Sequence, residues 1–386
     1  MHLHKGLVKM KYIQSKTDPC LYYRKDTMRA VYIDDCILRA KAKNLIRAAI
    51  KELSTNFEIT DEGEVDEYLG VKVETLKDKR VKMSQLAVMS KILHLDKGGD
   101  EMQTTWEYRR IIGQLNFLEK STCPDIAYAV HQCSRFASDP KASHKMAILR
   151  IGRYLMATRS EGIIFEPNNS SLELWWDAEF SGNWRDVTAH LDRSTEKFRT
   201  GYVVKYSDCP LTWASKMQTE TALSTTETEF IALSEGLRTL IPILSGLEEM
   251  QVQVQGVSIT NSQAAIKCKV FEDNSGVRTL ATLPKIRPRT KYVINTKYWH
   301  FREHMEQGKI VLLPVWEVCR LLRCLVHCCA CSWDLARPIY ESHYIQPCPL
   351  STSNFRTILH SFHTHVWRIK CRVGHVTILE LYIHIL

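Results

Sequence analysis

Apolar residues recur with two different periods along residues 30–165. They flank a polar pair within Ala30–Leu38, which predicts two strands joined by a turn. Residues 45–53 have the spacing of an amphipathic helix, and Tyr68–Glu74 alternates as one half-buried strand. Further helices are predicted at Gln85–Leu95, Trp106–Leu118, Pro124–Phe136 and His144–Thr158.

A second pattern begins after the loop Pro167–Ser171, which we interpret as a domain boundary. Ser224 to Thr226 offer N-cap residues for an amphipathic helix, and a strand at Ile266–Phe271 precedes a second helix. Three alternating strands come before that helix, at Leu172–Glu179, Thr200–Tyr206 and Pro210–Ala214. This order of elements predicts an α+β sandwich.

The composition is that of an ordinary globular protein with room for two or three domains. The chain has 386 residues, of which 45% are hydrophobic and 25% are charged. Its formal net charge of +9 favours a polyanionic partner. It has no apolar run of 18 residues and no apolar stretch behind the first charges, so we expect no membrane span and no secretory signal. An intracellular location, cytoplasmic or nuclear, is the expectation.

The composition changes near Val315. The last 71 residues contain seven Cys and seven His but only one Lys. These Cys and His residues are crowded and lack the paired spacing of a zinc site, so zinc is the less favoured interpretation. A segment translated in another frame fits better, and we predict a disordered tail unrelated to the rest.

Asp34 and Asp35 form an acidic pair between apolar residues. Paired charges in a buried hairpin are costly, and divalent metal ions would offset that cost. The alternative is an ordinary exposed turn. On this pattern alone both interpretations stay open.

Motifs in a fixed order run through residues 12–315. In the first half they are Gln14–Tyr23, Val31–Asp35, Phe57–Asp61, Asp66–Val71, Tyr108–Leu115 and Ser121–Tyr128. In the second half they are Asp177–Gly182, Arg199–Tyr202, Trp213–Lys216 and Ala222–Phe230. Together they closely resemble the C-terminal part of the reverse transcriptase and the ribonuclease H domain of copia-type retrotransposon polyproteins.

The resemblance implies a division of the chain into four parts. We expect a reverse transcriptase palm and thumb remnant at 1–95, a helical connection at 96–165, a ribonuclease H-like mixed-sheet domain at 166–315 and the disordered tail at 316–386. In this family Asp34 and Asp35 bind catalytic Mg²⁺ with a third aspartate from an earlier palm strand. Only 33 residues precede Asp34. The third aspartate is therefore expected to be missing, and RNA-directed DNA synthesis to be lost.

For the ribonuclease H-like domain the resemblance implies a carboxylate site that binds Mg²⁺ (or Mn²⁺). Its members are Asp177, Glu229 and Asp273, and its substrate is the RNA strand of an RNA–DNA hybrid. The alternative for Asp177 is that it is only a surface charge at the end of a strand. The alternative for Asp273 is that it is only a helix N-cap. Glu227 is the second candidate for the helix position, and the family pattern favours Glu229.

The family's fourth carboxylate follows a strand equivalent to Lys309–Pro314. The chain departs from the pattern at Val315, and Asp334 has the wrong spacing to replace the missing group. Because one of four carboxylates is missing, we expect hydrolysis of RNA in hybrids to be weak or lost.

A basic run near residue 290 is the candidate nucleic-acid contact. Its members are Lys285, Arg287, Arg289 and Lys291. A solvated loop is the equal alternative, and the aromatic residues that follow are expected to be core. A non-catalytic nucleic-acid-binding protein and an inactive pseudogene product remain the alternatives to an enzyme.

Overall fold

A computed structural model describes residues 2–32, 35–78, 80–93, 105–179, 197–255, 266–283, 296–315, 325 and 365–371. The helices are α1 (His2–Lys9), α2 (Lys43–Ser54), α3 (Leu86–Leu93), α4 (Thr105–Ser121), α5 (Ala127–Ser134), α6 (Ala142–Ala157), α7 (Thr225–Gln255), α8 (Ser275–Thr282) and α9 (Arg302–Glu306). The strands are β1 (Ile13–Gln14), β2 (Leu21–Arg24), β3 (Thr27–Tyr32), β4 (Asp35–Ala40), β5 (Ile59–Glu64), β6 (Glu67–Tyr68), β7 (Val71–Thr75), β8 (Val81–Ser84), β9 (Ile163–Phe165), β10 (Ser171–Glu179), β11 (Arg199–Tyr206), β12 (Cys209–Met217), β13 (Lys267–Glu272), β14 (Ile310–Pro314) and β15 (His365–Cys371).

The chain packs as two compact units. Unit 1 comprises Met1–Asp66, Ile241–Lys267 and Cys348–Leu386, and unit 2 comprises Glu67–Leu240 and Cys268–Pro347. This grouping differs from the four predicted parts because pairing crosses their boundaries. Strand β8 from the predicted palm remnant pairs with β9 from the predicted helical connection, for example.

Unit 1 is built on an antiparallel sheet with the strand order β1-β2-β3-β4-β15-β5. The predicted hairpin is confirmed, because β3 and β4 pair with Tyr32 opposite Asp35. Ile33 and Asp34, at its tip, lie outside the described residues. The buried side chains Leu7, Leu53 and Ile369 belong to one apolar core shared by α1, α2 and β15.

Strand β15 comes from the tail that we predicted to be disordered. It pairs antiparallel with β4 on one side and with β5 on the other. Its Ile369 is fully buried. Residues His365–Cys371 are therefore ordered, contrary to the prediction, because the sheet offers two unpaired strand edges and an apolar core to them.

Unit 2 contains a mixed sheet with the order β12-β11-β10-β13-β14. Strands β10, β11 and β12 form an antiparallel meander, whereas β13 and β14 are parallel. Helix α7 approaches this sheet closely at Gly236, where a Cβ atom would lie 3.0 Å from the side chain of Leu174. The predicted α+β fold class, with a mixed sheet in this part of the chain, is confirmed.

The rest of unit 2 holds a second sheet and a helical core. Strands β6 to β9 form the sheet, and α3 to α6 bury a cluster around Tyr108, Leu115 and Ile151. The prediction of one strand at Tyr68–Glu74 was wrong. Leu69 and Gly70 have φ values of 49° and 77°, so the chain turns there and β6 pairs back on β7.

Helix α7 is the one described helix that is long and apolar enough to cross a membrane. In its most apolar window, 61% of the helix is buried inside the protein. This burial, together with the close packing of Gly236 on the sheet, is typical of the core helix of a globular protein.

Candidate active site

In the acidic hairpin of unit 1, Asp35 forms an ion pair with Arg368. Both Nη2 and Nε of Arg368 donate to Oδ1 of Asp35, at 3.2 and 3.3 Å. Arg368 lies on β15, whose Lys370 pairs with Asp35 in the sheet register. A metal ion at Asp35 would therefore have to displace a guanidinium group. Asp34 lies outside the described residues.

The three carboxylates predicted for the second site lie close enough together to influence one another. Asp177 is near the end of β10, Glu229 is in the second turn of α7, and Asp273 directly follows β13. Burial raises the pKa of Glu229 to about 9, and the negative charges of Asp177 and Asp273 add to the rise. Three separate elements therefore bring these groups to one region of unit 2.

The two candidate glutamates on α7 have different surroundings. Oε2 of Glu227 accepts the N–H of Leu223 at 2.7 Å, and the N–H of Glu227 donates to Oγ of Ser224 at 3.2 Å. Glu227 thus stabilises the start of the helix. Glu229 precedes Gly236 by seven residues, so both lie on the helix face that packs on the sheet. Its Oε2 is buried and has no hydrogen-bond partner among the described residues.

Asp273 is not the cap of α8. The N-cap is Asn274, whose Oδ1 accepts the N–H groups of Gly276 and Val277 at 2.9 and 3.2 Å. Asp273 itself is exposed. The capping role that we considered for Asp273 therefore belongs to its neighbour.

Glu272 is a fourth carboxylate, at a position that the sequence motifs did not indicate. It is 1% exposed, and its Oε1 accepts the N–H of Asn274 at 2.6 Å. Burial, with smaller contributions from the negative charges of Glu229 and Asp273, raises the pKa of Glu272 to about 9. The available signal was alternation: Cys268, Val270 and Glu272 continue one buried face of β13.

Other predicted features fall differently. The basic run Lys285, Arg287, Arg289 and Lys291 lies outside the described residues, as does Asp334. Trp299 and Phe301 are core residues, as expected, and both pack on Phe230, at ring-centroid distances of 4.7 and 5.8 Å.

The carboxylate oxygens suit a hard cation such as Mg²⁺ or Mn²⁺. No three His, Cys, Asp or Glu side chains in the described part of the chain are arranged as a closed metal site. The buried, unpartnered Oε2 atoms of Glu229 and Glu272 are nevertheless acceptors that a cation would satisfy. The carboxylates therefore fit a divalent cation, although the described side chains are not already grouped as its ligands.

Comparisons with known proteins find relatives of two descriptions. No family model matches the chain. The Pol polyprotein from transposon TNT 1-94 of Nicotiana tabacum is 28% identical over 337 residues, which is 79% of this chain and 24% of that protein. The secreted RxLR effector protein 161 of Plasmopara viticola is 39% identical over 129 residues, which is 33% of this chain and 84% of that protein.

Among solved structures, LC11-RNase H1, isolated from compost, covers 38% of this chain and 85% of its own, with 16% identity and a TM-score of 0.23. The chain spans about a quarter of the length of the transposon polyproteins that it matches. Three such polyproteins align with about 80% of the chain at 24–28% identity. The chain is therefore similar, over about 80% of its length, to retrovirus-related Pol polyproteins of copia-type transposons.

Proposed function

We propose that unit 2 binds RNA–DNA hybrids and hydrolyses their RNA strand, using Mg²⁺ or Mn²⁺ held by Asp177, Glu229 and Asp273. The observation that carries the proposal is Glu229. A carboxyl group buried on a rigid helix, with an unpartnered oxygen and two more carboxylates nearby, gains most from a bound cation. The similarity to three Pol polyproteins and the mixed sheet of unit 2 support the same chemistry.

The three carboxylates differ in exposure, and we assign their roles accordingly. Asp273 is exposed and open to substrate, whereas Glu229 is anchored on the long helix α7 and fixes the inner side of the site. Asp177 is held by the sheet, and the N–H of Ala178 donates to its Oδ1 at 2.8 Å. Divalent cations, when bound, supply the activation of water and the stabilisation of the departing oxygen.

We propose that unit 1 does not synthesise DNA. Its support is the ion pair between Asp35 and Arg368, because a carboxylate neutralised by a partly buried guanidinium group has little affinity left for Mg²⁺. Arg368 and Asp35 expose only 18% and 21% of their side chains, so solvent screens the pair weakly.

The test is cleavage of a labelled RNA–DNA hybrid by the full chain with Mg²⁺ or Mn²⁺. Asp177→Asn is expected to lower the rate at least about 10²-fold, since it removes the charge that binds the cation. Asp208→Asn is the matched control, because Asp208 lies in the β11–β12 turn at the opposite end of the same sheet.

If the wild type cleaves the hybrid and Asp177→Asn cleaves it at the same rate, the activity belongs to another site. A hybrid that is bound equally well with metal or with a chelator, and never cut, would identify a non-catalytic nucleic-acid-binding protein instead.

A further inference from the structure

Glu272 faces the side of the mixed sheet on which α7 lies. Phe271 stacks on Trp175 with ring centroids 4.0 Å apart, so these two share one face of the sheet. Leu174, the neighbour of Trp175, faces α7 at Gly236. Because successive side chains on a strand point to opposite faces, Glu272 points to the α7 side, as Glu229 on α7 points to the sheet.

Glu272 also stands beside the place where the expected fourth carboxylate is missing. In the parallel pairing of β13 with β14, Glu272 is opposite Pro314, the last residue of β14. The N–H of Val315 donates to the carbonyl oxygen of Glu272 at 3.1 Å. The sequence leaves the family pattern at Val315, so the missing group would have followed directly from this point.

Oε2 of Glu272 forms no hydrogen bond with Arg278, the basic residue whose charge acts on it. Arg278 on α8 attracts Glu272, but Nε of Arg278 and Oε2 of Glu272 are both buried without a hydrogen-bond partner in the described residues. Oε1 is already bonded to the N–H of Asn274. One buried oxygen on the α7 side of the sheet is therefore left for a ligand from the site.

We propose that Glu272 is the fourth carboxylate of this site and binds the second divalent cation through Oε2, in place of the group lost after β14. The proposal rests on the function proposed for unit 2. It explains how a chain that departs from the family pattern at Val315 keeps four carboxylates.

Mn²⁺ binding to the full chain, measured by electron paramagnetic resonance, tests the proposal without any turnover. The wild type is expected to bind two Mn²⁺ ions, and Glu272→Gln to bind the second at least about tenfold more weakly. Glu173→Gln is the matched control, since Glu173 is a buried glutamate on β10 that is held by Ser171, Trp175 and Lys269. It is expected to leave both ions bound as in the wild type.

The outcomes separate the two proposals. Two ions bound equally by the wild type and by Glu272→Gln, with binding lost in Asp177→Asn, would overturn the role of Glu272 alone. No Mn²⁺ bound by the wild type would overturn the function proposed for unit 2 and this role with it. If Glu272→Gln does not fold by circular dichroism, Glu272→Asp replaces it, and unchanged affinity for the second ion would contradict the proposal.

Discussion

Asn274 and Asp273 are adjacent residues with different contacts. Asn274 holds two N–H groups at the start of α8, whereas Asp273 is exposed beside the other carboxylates. Because a lost N-cap leaves backbone donors unsatisfied, Asn274→Ala is expected to lower the free energy of unfolding by about 1 kcal/mol. Asp273→Asn, which removes only a charge near other negative charges, is expected to lower it by less than about 0.5 kcal/mol. Urea unfolding measures both, and an equal loss in the two variants would contradict the assignment of the cap.

Glu119 gives the stability of the protein a dependence on pH. Burial raises its pKa from an ordinary value of 4.5 to about 7, and the charge of Lys120 acts weakly in the opposite direction. The neutral carboxyl group is the form that the fold favours. Its contribution to stability is therefore complete below pH 4.5 and is lost as the pH rises through 7.

Glu119→Gln is expected to remove this loss. At pH 8 the variant should exceed the wild type in free energy of unfolding by about 1–3 kcal/mol, and at pH 4 the two should agree. Urea unfolding at the two pH values provides the measurement. Glu67→Gln, at an exposed glutamate, serves as the control and should show no such difference. A gain for Glu119→Gln that is equal at both pH values would exclude titration of this group as the cause.

Three of the four candidate carboxylates could be predicted from the sequence, and Glu272 could not. Asp177, Glu229 and Asp273 lie in motifs with recognisable neighbours, and one unit of the structure brings them together. Glu272 was not predicted as a site residue because a glutamate before Asp-Asn is typical of the start of a turn. The pairing of β13 as far as Glu272 shows that its side chain continues the buried face of Cys268 and Val270.

Among the elements, β15 matters most to unit 1. It lies between β4 and β5, and Ile369 fills the core beneath them. Ile369→Ala is expected to cost about 2–4 kcal/mol, because the cavity loses contacts from α1, α2 and the sheet. Ile13→Ala, at a residue that is 56% exposed, is the matched control and should cost less than about 0.5 kcal/mol.

Hydrogen exchange of the amides in β4 and β5, followed by mass spectrometry, reads this effect locally. The two strands should exchange faster in Ile369→Ala than in Ile13→Ala. Equal protection in both variants would mean that β15 does not hold the sheet together.

Two elements show why local patterns were insufficient. Alternation along Tyr68–Glu74 is the same for one strand and for a hairpin with a two-residue turn, and the left-handed backbone at Leu69 carries no strong sequence signal. In β15, Trp367, Ile369 and Cys371 alternate with Arg368 and Lys370. That signal was present, but its partners lie about 300 residues away, and no local rule connects them.

At the scale of the whole molecule, the net charge of +9 favours a polyanionic partner, such as the RNA–DNA hybrid proposed for unit 2. If Lys285, Arg287, Arg289 and Lys291 each contact a phosphate, affinity for an RNA–DNA hybrid should fall about 10²-fold between 50 and 200 mM salt. Replacing all four with Ala should flatten the dependence on salt, whereas Lys51→Ala, at an exposed lysine of α2, should change it little. Fluorescence anisotropy with a chelator present measures this, and an unchanged slope in the fourfold variant would exclude the basic run.

The position of β15 also affects the order in which the molecule is assembled. Asp35 and Arg368 are 333 residues apart in sequence, yet they belong to adjacent strands. At ordinary rates of translation, β4 and β5 leave the ribosome on the order of 15–60 s before β15 exists. During that time the nascent sheet has two open edges that other chains can pair with. The part of the protein that is made first is therefore completed last, and a chaperone that shields β4 and β5 would raise the yield of folded protein more than one that acts on the finished chain.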